Sequence, residues 1–369
     1  MLGRLAGIVG DLDIAGERIE LALGVAESLW LPELFCRALT SKSINLSDQG
    51  RPTEGLGLLR YALEIALEND IPSAALNAYP NLVHYAQARD QYEQALAFHA
   101  DGLALARRLG DRLFEWFLLA GSVFPLFVSG RWEEAEENSS EIPNWDELPI
   151  RALTNLASLP LVLVNRGRCE EARSFLDLCD ELAASSDRED RMFYALARAT
   201  VLRAEGDFPA ALEAGQAAMR VRELGLGHEA VKAGFVEAVE AALGLGDPAK
   251  VVELLAAVEG LRPVEVPQFV RAHALRFRAR LAAETGATHE VEAGFKSAAG
   301  MFREIGAPFY LAVTLLEHGE WLMEQDRGDE DRPLFSEAGQ VFERLKAVPW
   351  LERLAEAEPA ASAHQTTGL

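Results

Sequence analysis

Apolar residues in this chain recur three and four positions apart over long stretches, and short turn-forming clusters separate them. That spacing is helical, because a half-buried strand alternates with a period of two. It predicts helices over Leu34–Gln49, Pro52–Asn69, Ala74–Arg89, Gln91–Leu109, Arg191–Glu205, Pro209–Glu223, Gln268–Thr285 and His289–Ile305. No stretch reads as a strand. Pro52 falls in the first turn of its segment, where a missing N–H costs nothing. The stops Asn69-Asp70-Ile71-Pro72, Leu109-Gly110-Asp111, Leu224-Gly225 and Ile305-Gly306-Ala307-Pro308 place glycine or a small polar residue just past a helix, often with proline after it.

The turns between helices repeat. Gly10-Asp11, Gly50-Arg51, Gly130-Arg131, Gly167-Arg168, Gly206-Asp207, Gly246-Asp247 and Gly286-Ala287 are of one kind, and from Gly130 onward their intervals are 37, 39, 40 and 40 residues. The gap of 80 between Gly50 and Gly130 has its midpoint at Asp90, a turn of the same kind without the glycine. Gly328 follows Gly286 by 42. Five residues after the turn the side chain is small in most units, Ala15, Gly55, Ala95, Ala135, Ala172 and Ala211, and then Val251 and Val291. Seven residues further on, small residues return at Ala22, Ala62, Gly102, Cys179, Ala218 and Ala298, with Ile142 and Val258 as exceptions. Two positions seven apart share a helix face, so a neighbouring helix can approach closely there. The reading is all-α: a right-handed superhelical solenoid of about nine units of about 40 residues, helix A before the turn and helix B after it.

Small residues at these two helix-B positions after a Gly-Asp or Gly-Arg turn resemble tetratricopeptide repeats (TPR). The 40-residue period exceeds the 34 of that family. It is similar instead to the longer repeats in the regulatory arms of bacterial signal-transduction ATPases, such as maltose-type transcriptional activators and ATPase-linked adenylate cyclases. GRPTEGLGLLRYALEIALENDIP and MFREIGAPFYLAVTLLEHGEWL carry that resemblance. It implies a non-catalytic module that binds a protein or peptide, or a small effector, as a sensor or regulatory arm. The alternative is a free-standing scaffold or co-chaperone bridging other proteins.

The array is expected to span residues 1–358, with 359–369 a disordered tail lacking apolar period. Residues 1–9 supply little more than two helical turns and no N-cap, so the chain is expected to be an excised or truncated piece, or else to begin with a short fraying helix. The fourth unit is irregular near 131–149: helix B, Arg131–Glu141, is short and runs into Ile142-Pro143-Asn144-Trp145-Asp146-Glu147-Leu148-Pro149. Pro80, Pro125 and Pro160 fall inside A helices and should kink or split them.

Charge narrows the functional classes. Lys and Arg number 35 against 58 Asp and Glu, giving −23, which repels phosphate backbones and argues against direct nucleic-acid binding. Three cysteines suit a reducing cytoplasm rather than a disulfide scaffold. No apolar run reaches the roughly 20 residues of a membrane span. Neither a GxxxxGK[ST] loop, a GxSxG elbow nor an HExxH motif occurs, and the seven histidines are dispersed. No enzyme, cofactor or metal is therefore expected.

In tetratricopeptide arrays helix A lines the concave surface. Carried over by position, the groove-facing candidates are Arg37 and Thr40, then Asn77 and His84, then Phe117 and Phe124, and finally Arg203, His273, Arg276 and Arg280. A groove running from amide through aromatic to basic suits an extended peptide or an amphipathic helix. The competing reading makes these mixed surface and inter-repeat residues, with Arg276 and Arg280 paired to Glu237, Glu240 or Glu317.

Overall fold

A computed structural model describes residues 12–219, 225–262, 265–285 and 288–364. Residues 1–9, the Gly10-Asp11 and Gly286-Ala287 turns, and residues 365–369 of the expected tail lie outside them. Every regular element among the described residues is helical. The chain divides into two compact units, the first comprising residues 1–87 and 93–118, the second 88–92 and 119–369.

In the first unit α1 (Leu12–Ser28), α2 (Pro32–Asp48), α3 (Pro52–Glu68) and α4 (Pro72–Gln87) pack each on the next, and α2 also lies on α4. α5 (Tyr92–Leu109) and α6 (Arg112–Gly121) add Leu105, Ala106 and Leu118 to a core with Cys36, Leu76 and Tyr79. Stacking A on A and B on B is how helical pairs bury faces that none can bury alone.

The second unit continues through α7 (Val123–Val128), α8 (Trp132–Ser140), α9 (Ile150–Leu156), α10 (Leu159–Asn165), α11 (Cys169–Leu178) and the short α12 (Asp180–Ala183). Regular pairs follow: α13 (Arg188–Ala204) with α14 (Phe208–Ala218), α15 (Glu229–Gly244) with α16 (Pro248–Glu259), α17 (Gln268–Thr285) with α18 (Thr288–Glu304), and α19 (Pro308–Glu324) with α20 (Gly328–Leu345). α21 (Val348–His364) ends the described chain and extends past Pro359. The A helices α10, α13, α15, α17, α19 and α21 stack in order, and α10 also touches α21 while α7 touches α19. The row of A helices in this unit therefore closes on itself. Phe309 lies 5.8 Å from Phe127 and 5.0 Å from Trp132 between ring centres, and Trp350 Nε1 donates to Asn165 Oδ1 at 2.9 Å.

Local sequence accounts for most element boundaries. Left-handed residues fall every 20 positions, at Trp30, Gly50, Asp70, Asp90, Gly110 and Gly130, with φ of 51°, 77°, 52°, 59°, 70° and 68°. Trp30, Gly50, Asp70, Gly110 and Gly130 each close a helix through a six-residue backbone loop, for example Arg51 N–H to Leu46 O at 2.8 Å and Ile71 N–H to Ala66 O at 2.8 Å. The 40-residue period is thus two equal halves. Asp90, with φ of 59°, takes the glycine's place as expected. The last turn differs from expectation: Asp326, φ 57°, is its left-handed residue, and Gly328 already begins α20. Ala95, Ala135, Ala172 and Ala211 are fully buried, as the spacing requires. At Gly55 an added Cβ would sit 2.3 Å from Tyr85 Oη, so only glycine fits. Pro125 and Pro160 lie where an A helix is divided in two, each in the first turn of the second piece, where its missing N–H is harmless. Pro80 stays inside a continuous α4.

Candidate functional site

In the first unit, Arg37, Asn77 and His84 are exposed on α2 and α4. Ser73 Oγ, on the same face, donates to Glu33 Oε1 at 3.0 Å. Asn77 and Asn81 each turn one amide donor back on the helix, to Ser73 O at 2.7 Å and Asn77 O at 2.8 Å. Thr40 departs from the expected pattern. It is buried and its hydroxyl donates to Cys36 O at 3.0 Å, satisfying itself within α2. Phe117 is half-buried, packed edge-on to Phe114 at 6.3 Å.

In the second unit Phe124, His273 and Arg276 are buried, and Arg203 and Arg280 are half-buried. Phe124 is buried edge-on to Tyr92, at 6.3 Å. Arg276 is 1% exposed, and its guanidinium donates to Glu317 Oε2 at 2.6 Å, Glu317 Oε1 at 2.5 Å and Glu240 Oε1 at 2.5 Å. Arg280 reaches Glu240 at 2.9 Å and Glu317 at 3.1 Å, and Arg203 donates to Glu237 at 2.6 Å. Three guanidinium groups thus meet three carboxylates. The network carries no surplus positive charge for an anion. Burial opposes ionisation of Glu240, but Arg276, Arg280 and Arg203 overcome it and hold its carboxyl far below the usual range. Glu317 follows the same balance, with Arg276 and Arg280 outweighing burial.

These positions were expected to face an open groove. They are buried or half-buried because the closed row of A helices turns them onto one another, and the pairing of Arg276 and Arg280 is the competing one named above. What remains of the concavity is a cavity of about 20 Å³ lined among others by Asn165, Arg203, Glu237, Tyr310 and Trp350, room for one water.

His273 is also fully buried, enclosed by Phe269, Phe277, Phe302 and Tyr310 at 4.7, 5.7, 4.8 and 4.4 Å between ring centres. Neither ring nitrogen has a hydrogen-bond partner among the described residues. Burial, with Arg276 adding, pushes its pKa well below the ordinary histidine value. It is a neutral core histidine. Cys179 occupies its small position as a buried thiol pushed up to about 12 by burial, then by Asp180 and Glu181. No described helix is long and apolar enough to cross a membrane.

One cluster escaped the sequence reading. Lys232 on α15, fully buried, donates to Asp90, whose other oxygen accepts Phe269 N–H at 2.9 Å, while Tyr92 Oη donates to Asp90 at 3.0 Å. Burial lowers the Lys232 pKa, with Asp90 pulling against it. A single lysine in the otherwise apolar and small-residue stretch AVKAGFV was the only local signal, and nothing local names a partner 142 residues away.

No protein-family model matches the chain, and no curated protein matches it in sequence. Among solved structures it is similar to yeast Tom70, at 13% identity over 99% of this chain and 88% of that one, TM-score 0.39. It is similar also to the TPR domain of P58(IPK), 13% identical over 99% and 97%, TM-score 0.27, and to Ton1535 from Thermococcus onnurineus NA1, 15% identical over 94% and 99%, TM-score 0.31. Superpositions this loose carry no weight. The all-α repeat fold rests on the helical pairs themselves.

Proposed function

We propose that this chain is a non-catalytic binding module whose first unit receives an extended peptide or amphipathic helix on the exposed face of α2 and α4, through Arg37, Asn77 and His84. One observation carries the reading. That face is exposed and polar, whereas the equivalent A-helix face of the second unit is consumed by its own ion pairs. Amide and guanidinium side chains on one face suit the main chain and an acidic side chain of a peptide. The finer role we assign is that of a regulatory arm of a larger cytoplasmic signalling protein, supported by the repeat resemblance.

A photo-crosslinking residue at position 77 or 84, introduced in the native host, tests the surface. A discrete adduct is expected from both and none from position 253 on α16. Arg37→Glu should remove it. No adduct from either position, or an equal one from 253, overturns the assignment. Purified protein that hydrolyses ATP or forms cyclic AMP would refute the non-catalytic reading. An ATPase or cyclase region upstream in the same reading frame supports the arm; a natural start at Met1 supports the scaffold instead.

A further inference from the structure

The chain path of the irregular fourth repeat departs from that of the regular pairs. After α8 the chain leaves the helix, passes through Asn144 at φ 46°, and forms one 3-10 turn at Trp145–Glu147 before α9. Ser140, Ile142, Asn144 and Trp145 from this segment, with Leu178 at the end of α11, line a shallow depression of about 420 Å³. Its floor is held firmly. Trp145 Nε1 donates to Ser139 O at 3.1 Å, and the indole meets buried Phe175 edge-on at 5.4 Å. Ile142 is 3% exposed, while Leu178 keeps 40% of its surface in solvent.

The charge around the depression selects its occupant. Between residues 132 and 184 there are twelve acidic and four basic residues. Glu137, Asp177 and Glu181 are exposed on the helices that bear Ser140 and Leu178 or directly follow them. Three of the four arginines in this stretch are matched, Arg166 to Glu136, Arg168 to Glu136 and Glu171, and Arg173 to Glu205, and the fourth, Arg151, is exposed on α9. Apolar Ile142, Trp145 and Leu178, with exposed carboxylates next to Ser140 and Leu178 along their helices, complement a cationic chain that carries a large apolar anchor.

We propose that this depression docks a basic amphipathic segment of a partner protein, an apolar side chain seated on Trp145, Ile142 and Leu178 and lysines or arginines meeting the nearby Glu137, Asp177 and Glu181. The site lies wholly in the second unit and does not depend on the peptide-binding reading of α2 and α4.

The test uses the full chain and a fluorescein-labelled synthetic Lys/Leu amphipathic helix, with a Glu/Leu helix of equal length as counterpart, read by anisotropy at 50 and 300 mM NaCl. The Lys/Leu helix is expected to bind and the Glu/Leu helix not. The combined Glu137→Gln, Asp177→Asn and Glu181→Gln variant should weaken binding about tenfold at low salt and flatten its salt dependence, as lost complementary charge requires. An equal charge change elsewhere, Glu64→Gln, Glu68→Gln and Asp101→Asn, should leave affinity unchanged. Leu178→Ser should weaken binding about fivefold through lost apolar burial. Equal weakening by the two charge variants means the peptide follows the net charge alone, and that result, absence of binding, or wild-type affinity in Leu178→Ser overturns the proposal.

Discussion

Lowering the pH from 7 to 5 should loosen the second unit through His273. In the native state its imidazole is enclosed by four aromatic rings, with Arg276 close by, and burial holds its pKa well below 6.5. In the unfolded chain the same group titrates near its ordinary value of about 6.5. The sign follows directly. Below that value the unfolded state takes up a proton and the native state does not, so stability falls with pH. Each full unit below 6.5 costs about 1.4 kcal/mol, and the whole step from pH 7 to 5 costs at most about 2 kcal/mol. Glu240 and Glu317, whose native pKa values are depressed, act in the same direction but only as pH approaches the unfolded carboxylate range near 4. His273→Leu isolates the effect. Its two buried nitrogens without partners disappear, so the variant should be no less stable at pH 7 and should lose about 2 kcal/mol less than wild type by pH 5. Native-state hydrogen exchange of the α17 amides, corrected for intrinsic rates, reads the local opening free energy that a repeat protein requires. Identical pH slopes for the two proteins would refute a neutral His273.

Lys232→Met leaves Asp90 charged and buried, and should cost about 3–5 kcal/mol in urea unfolding, with Lys232→Met/Asp90→Asn recovering part of it; a single variant within about 0.5 kcal/mol of wild type would show that the pair is idle. Ala95→Leu or Ala172→Leu should overpack a fully buried contact by about 1–3 kcal/mol and lower hydrogen-exchange protection first in the adjoining helices; unchanged unfolding and exchange in both would mean the small positions are misassigned. Gly246→Ala should cost about 1–2 kcal/mol for left-handed backbone alone, and Gly130→Ala more, because its Cβ would lie 2.6 Å from Pro308 Cγ; equal thermal shifts would place Pro308 elsewhere.

The closure of the second unit bears on more than stability. Phe309, Trp350 and Asn165 come from repeats at its two ends, and their contacts remove the surface on which a partner would otherwise meet Arg203 and Arg276. Replacing Arg276 and Arg280 by Gln tests folding rather than recognition, since it strips Glu240 and Glu317 of their counter-charges.

The sequence by itself determined what local physics governs. Helix ends lie within three residues of expectation for α2, α3, α4, α5, α13 and α17, because left-handed closing residues and first-turn prolines act over four to six positions. The buried small positions were legible for the same reason: Ala135 and Ala172 carry the imprint of a neighbouring helix in their own size. Irregularity after Arg131 was visible in its prolines. Which A-helix faces meet solvent was not. Arg37 and Asn77 are exposed, while His273, placed by the same count back from a turn, is interior. Arg276 finds Glu240 and Glu317 at separations of 36 and 41 residues, and Lys232 finds Asp90 at 142. A repeat period fixes how each unit meets the next, but whether a row of units closes depends on small rotations summed over many repeats. Only the tertiary structure carries that sum, and it turned an expected groove into a core.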